Sequence, residues 1–260
     1  IDRVSSKTQF NGISLLDGSF TSKAFQVGAN ANETVSVDSI ASSRTSALGK
    51  GFSATASAAV ITGAIAGSGD VTINTGGGVQ NVIASTSDGV SSTDAASSAL
   101  AKANAINGTS GINVTATAST SEVGGVGDGS DAAAGTMQIN GIAIASTDLT
   151  GADATTNGNE LVVAINAISG ATGVTATNAA GTLTLTAADG RNIEVGSYTG
   201  GLDATVTGLT AQTNYGTLTL ETASISGITI VDGGGLIGVS TTAATASGTA
   251  LNAIDISSAS

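Results

Sequence analysis

The chain has 260 residues with 19 acidic and 7 basic side chains, a net charge of −12, and no histidine, cysteine, proline or tryptophan. Lacking imidazole and thiolate, it has lost the commonest general base, nucleophile and zinc ligands, and two tyrosines and four phenylalanines wall no sizeable pocket. No enzymatic activity, cofactor or metal centre is expected.

Charge divides the chain. Arg3, Lys7, Lys23, Arg44 and Lys50 all lie in residues 1–50, whereas 51–260 is strongly acidic. That acidity argues against nucleic acid and anionic membranes as partners, because both are bound by clustered Lys and Arg. The uncharged stretch from Gly51 to Gly69 is too rich in Ser, Thr and Gly to be a membrane span.

In chain order, Ile1 to about Asn11 reads as the end of a helix, with Asn11-Gly12 as its left-handed stop. Phe25-Gln26-Val27 and Thr34-Val35-Ser36-Val37 alternate around Gly28 to Asn32, which predicts a hairpin. Along these elements stand Ile1, Asp2, Arg3, Thr8, Gln9, Phe10, Asn11, Gly12, Leu15, Leu16, Asp17 and Gly18, then Gln26, Val27, Gly28, Ala29, Asn30, Glu33 and Thr34. In that order they resemble the outer-core signature of flagellin, ID-R-[IV]-x-x-x-TQFNG-x-x-LLDG followed by QVG-A-N-x-x-E-T. Ala250 to Ile256 resembles the return into the same core.

The remainder carries an internal repeat. VTIN (Val71 to Asn74), AIN (Ala105 to Asn107) and VTAT (Val114 to Thr117) recur as MQIN (Met137 to Asn140), AIN (Ala164 to Asn166) and VTAT (Val174 to Thr177), at separations of 66, 59 and 60 residues. Tandem duplication of a strand–helix–strands unit is the economical reading. Ala96, Ala99, Leu100, Ala103 and Ile106 predict a helix capped by Ser92-Thr93-Asp94, and Leu161, Val162, Ile165 and Ile168 a second one capped at Asn157. Thr182 to Thr186 and Thr217 to Leu220 alternate as half-buried strands. The second copy resembles the flagellin "IN" insertion motif.

Gly124 to Asp131 mixes Gly and Asp but lacks the order and copy number of a calcium array, so an acidic linker is expected there. Gly76 to Gly78 and Gly233 to Gly235 lack the Lys-Ser/Thr of a phosphate loop and read as turns.

The expected fold class is therefore α+β: β-rich outer domains of strand–helix–strands repeats on a stub made of a helix end and a β-hairpin. Residues 1–50 and 246–260 form the flagellin core portion, 51–133 the first outer domain, and 134–245 the second with its following β segment. The resemblance implies a structural subunit of a hollow helical filament, extracellular, exported without a cleaved secretory signal, and serving motility. It implies other flagellin subunits as partners, with Ile1, Asp2, Arg3, Thr8, Gln9, Phe10, Asn11, Gly12, Leu15, Leu16, Gln26, Val27, Gly28 and Asn30 as candidate contacts. It also implies Toll-like receptor 5 as a partner, through core helices mostly preceding Ile1, and a monomeric state for this chain alone. The alternative is a surface protein whose insertion holds a glycan or host ligand. A hook-associated or cap protein is argued against by TQFNG.

Overall fold

A computed structural model describes residues 1–26, 34–40, 42–45, 51–60, 62–128, 134–145, 147–149, 153–243 and 245–247. The first segment contains α1 (Asp2–Lys7), β1 (Gln9–Phe10), β2 (Ile13–Ser14), β3 (Thr21–Gln26) and β4 (Thr34–Ser39). Then come β5 (Gly51–Ala59), β6 (Val71–Asn74), β7 (Gln80–Asn81), α2 (Ala99–Asn107) and β8 (Thr115–Gly125). Next follow β9 (Ala134–Ile139), β10 (Ile142–Ala143), β11 (Thr147–Asp148), α3 (Ala154–Ala167), α4 (Ser169–Thr172), β12 (Thr175–Ala179), β13 (Thr182–Ala187), β14 (Ile193–Gly200), α5 (Ala204–Thr207) and β15 (Gln212–Asn214). β16 (Thr217–Thr222), β17 (Thr229–Asp232) and β18 (Thr245–Ser247) complete the order. The chain is thus β-rich with a few short helices. Strands β12-β13-β8-β16-β5-β18 form a six-stranded sheet, β10-β9-β14-β15 with β11 a five-stranded sheet, and β17-β6-β7 a three-stranded sheet.

Two hydrophobic cores lie under these sheets. One gathers Ala54, Ala56, Val60, Val71, Ile73, Ala105, Ile106, Ala116, Leu218, Leu220 and Ile228. The other gathers Val126, Met137, Ile139, Ala164, Ile165, Ala176, Leu183, Leu185, Ile193 and Val195. They are built alike, strand by strand. Ala116 opposes Leu220 in the first and Ala176 opposes Leu185 in the second, while Ile73 opposes Ile230 and Ile139 opposes Val195. Even the entering strands agree, since Ala56 opposes Leu220 as Glu122 opposes Leu185. The Val60 amide donates to Gly216 O at 2.9 Å, and the Val126 amide to Gly181 O at 2.8 Å.

These pairings correct the tandem arrangement. The first unit runs from β5 to Ser119, is interrupted, and is completed by β16 and β17; residues 120–215 form the second unit inside that interruption. In the inner unit the equivalent hairpin is closed by Ala180-Gly181 with φ of 50° and 84°, both left-handed as a two-residue turn requires. Gly216, the counterpart of Gly181, keeps a φ of 83° although its hairpin no longer closes there. The point of insertion is the hairpin tip between Ser119 and Thr217.

The repeated AIN word has a physical reason. Asn107 donates its amide to Ala116 O at 2.8 Å and accepts from the Ala116 N–H at 2.8 Å; Asn166 does the same to Ala176 at 3.0 and 2.8 Å. One side chain thereby satisfies both backbone groups of a strand residue and pins the helix end to the sheet.

Several expectations change in detail. α2 is capped by Ser98, whose hydroxyl accepts from the Ala101 amide at 3.0 Å, and α3 by Asp153, which accepts from Thr156 N at 2.9 Å; the residues expected as caps, Ser92 to Asp94 and Asn157, are not caps. Asn157 and Gly158 lie within α3, where a Cβ at Gly158 would stand 2.7 Å from the Asn178 side chain. Gly124 and Gly125 end β8 instead of opening a linker, paired with Leu183 and Thr182, and Gly124 must be glycine because a Cβ there would lie 2.1 Å from Gly208 O. Residues 129–133, and Ala250 to Ile256, lie outside the described residues.

The two cores differ in one buried charge each. Lys102 is fully buried at the position where the inner helix has Leu161. Its ammonium donates to Leu236 O at 2.7 Å, and burial pushes it down to about 8 while the Asp232 carboxylate opposes the shift.

Two outcomes are expected. Deleting 121–215 and changing Thr120→Asn, so that Asn-Gly216 closes the hairpin as a two-residue turn, leaves an outer unit that still melts cooperatively by circular dichroism; a chain with no cooperative transition contradicts the nesting. Lys102→Met raises stability at neutral pH by about 1–3 kcal/mol in urea titration, as replacement of buried charge by alkyl groups often does. Because the folded-state value lies below the unfolded one, the lysine penalty is complete below about 8 and fades as pH rises towards 10.5, so the variant's advantage shrinks over that window.

Candidate functional site

The sequence-predicted contact residues lie on the amino-terminal segment. α1 spans Asp2–Lys7 and stops at Thr8, whose extended backbone and hydroxyl, donating to Val4 O at 2.7 Å, close its last turn. The helix therefore does not run on to Asn11. Asn11 and Gly12, at φ of 51° and 78°, instead form a two-residue turn between β1 and β2, with Gln9 opposite Ser14 and Phe10 opposite Ile13. Asn-Gly was legible as left-handed, but two consecutive positive φ values make a hairpin rather than a helix stop.

Backbone and short polar side chains hold this segment together. The Ser5 hydroxyl, 1% exposed, donates to Leu16 O, and Ser43 N donates to the same carbonyl at 2.8 Å. Leu15 N donates to Thr8 O at 3.0 Å, and Leu15 and Leu16 are half-buried. Asp2 accepts from Thr45 N at 2.8 Å and from the Thr45 hydroxyl at 2.5 Å, and that hydroxyl above all holds its carboxyl below the usual range. Asp17 is lowered likewise by the Ser19 hydroxyl. Ser5 and Thr45 were not singled out from sequence, since an isolated Ser or Thr there looks like any surface residue.

Three large apolar side chains remain on the outside among polar ones. Ile1, Val4 and Phe10 are 66%, 61% and 63% exposed, while Arg3, Gln9, Asn11 and Gly12 are also exposed. Ile1 and Val4 are neighbours at helical spacing. Gln26 is placed on β3, opposite Thr34, in the expected hairpin; Val27, Gly28 and Asn30 lie outside the described residues. Among the described residues no group of three metal-ligating side chains converges, and no helix is long and apolar enough to cross a membrane.

No family model matches the chain. It is 30% identical over 210 residues to Flagellin A of Helicobacter felis, which covers 78% of this chain and 38% of that protein. It is 33% identical over 202 residues to Flagellin A of Helicobacter pylori, covering 75% and 37%. The chain is flagellin-like. A third similarity, to a flagellin of Xenorhabdus nematophila, is 57% identical over 37 residues, covering 14% of this chain and 12% of that protein. The chain thus spans under two fifths of the length of the two Flagellin A proteins.

Proposed function

We propose that the chain is the central part of a structural, non-enzymatic flagellar filament subunit, located outside the cell and serving motility. On this reading residues 1–50 and 246–260 belong to the filament core, and the two nested units are IN-type outer domains coating it. The observation that carries it is the pairing of the strands that leave and re-enter the first segment: Gly51 lies opposite Ser247, Phe52 opposite Ala246 and Ser53 opposite Thr245. The stretch between them thus leaves and returns through one pair of adjacent strands, and it follows in sequence a segment whose Ile1, Val4 and Phe10 are about two-thirds exposed in the single chain. Likeness to flagellins supports the same assignment.

Ile1, Val4, Phe10 and their signature neighbours are then contacts to other subunits. With the contact surface of one subunit unsatisfied and the insertion strongly acidic, the chain alone is monomeric. Toll-like receptor 5 is a further partner of the longer protein. A surface protein that holds a glycan or host ligand is not favoured, because the likeness to Flagellin A proteins over about three quarters of the chain supports a filament subunit instead.

In the full-length protein, Phe10→Asp is expected to abolish filaments in electron microscopy, whereas Thr117→Lys, on the exposed sheet face, leaves them intact. Light scattering on the chain itself should give the 24.6 kDa of one copy. Normal filaments from Phe10→Asp together with loss of filaments from Thr117→Lys overturn the assignment of contacts to the amino-terminal segment.

A further inference from the structure

The matching strand pairings of the two units make each an internal control for the other. Where β5 turns Ala54 and Ala56 inward to the outer core, the corresponding stretch of β8 turns Thr120 and Glu122 inward to the inner one. The outer unit shows that the fold is satisfied by two methyl groups at these places. The inner unit instead buries a hydroxyl and a carboxyl, 0% and 7% exposed. Both Thr120 Oγ1 and Glu122 Oε2 lack a hydrogen-bond partner. A buried acceptor without a donor is costly, and far more so when ionised.

The surroundings offer no cation. Glu122 faces Leu185 on β13, and Gln212 on β15 supplies its side-chain hydrogen bond. From β14 comes Tyr198, whose hydroxyl contacts Thr207 Oγ1 at 2.9 Å and donates to Leu209 O at 2.6 Å, tying that strand to the end of α5. Burial raises the Tyr198 phenol, and negative charge on Glu122 and on Asp203, the α5 cap, raises it further. Neither Lys nor Arg acts on the Glu122 carboxyl among the described residues, and burial pushes it up to about 7 against the Gln212 hydrogen bond.

We infer that Glu122 is a proton-operated latch for the inner unit: protonated, its carboxyl seats in the seam between β8 and the segment from Tyr198 to Gln212, and ionised, it loosens that seam. The sign is set by the direction of the shift. The folded state holds the proton more tightly than the unfolded chain, whose ordinary value is 4.5, so the stabilisation is complete below that value and is lost as pH rises through about 7. The carboxylates held low by hydroxyl donors, such as Asp2, Asp17 and Asp203, titrate below this window, and Lys102 titrates at its upper end.

The test is urea unfolding of the whole chain, with amide exchange at Val206 and Leu209, between about pH 5 and pH 8. The wild-type unfolding constant is expected to rise roughly 10- to 100-fold across that range, with the protection factors of the two amides, taken against the intrinsic exchange rate at each pH, falling in step. Glu122→Gln and Glu122→Ala, the second copying the outer unit, should remove most of this dependence and make the inner unit firmer at about pH 8. Variants that keep the wild-type slope overturn the inference. Should the variants not fold, the wild-type Glu122 side-chain carbon, followed by NMR in the folded chain, decides the matter: a midpoint near neutrality supports the latch, and one near the ordinary glutamate value overturns it.

Discussion

The structure depends on the continuity of one strand. β8 runs without a break from Thr115 to Gly125, yet its first half pairs with β16 and its second half with β13. Because side chains alternate strictly along a strand, the residues that seal the outer core and those that open the inner one must keep the same parity through the crossing. Ala116, Thr120, Glu122 and Gly124 all obey it and are buried. A slip of one residue would turn the exposed hydroxyls of one unit inward along with those of the other. The two cores are separate in composition but share a single register.

Much of the fold was legible in the sequence, and what was not has identifiable reasons. The alternation in Thr182 to Thr186 and Thr217 to Leu220 gave strands at the right places, and the repeated IN, AIN and VTAT words marked equivalent elements. Their order along the chain is the same for tandem and nested copies. Only pairing separates the two, and the clue was GTLTLE following the second copy, where it completes the first. The helix starts were misplaced because several hydroxyl, amide and carboxyl residues precede each helix, and tertiary contacts choose among them: Ser98 also donates to the Asp88 carboxylate at 2.6 Å. Glu122 was hidden by its neighbours, since a carboxylate among Ser and Thr gives no sign of facing a core.

The amino-terminal segment is the reverse case. Composition and periodicity say almost nothing about Phe10 or Arg3, and only the ordered resemblance singles them out. Geometry adds the reason for the sequence between them: Thr8 ends the helix, Asn11-Gly12 turns the chain, and Leu16 offers one carbonyl to both Ser5 and Ser43. Small polar residues fix the shape, leaving Ile1, Val4 and Phe10 outward while Phe20 is buried.

Placing one unit within a hairpin of another also dictates an order of events as the chain folds. The outer core cannot be completed until β16 arrives, and β16 lies beyond the whole inner unit. As an open coil that stretch would impose a loop-closure penalty and a high contact order on every contact between β8 and β16. Once the inner unit has folded it delivers Ser119 opposite Thr217, much as a tight turn would. Folding of the inner unit first would replace slow assembly of a long-range sheet by two successive local steps, with the inner unit as template for the closure of the outer.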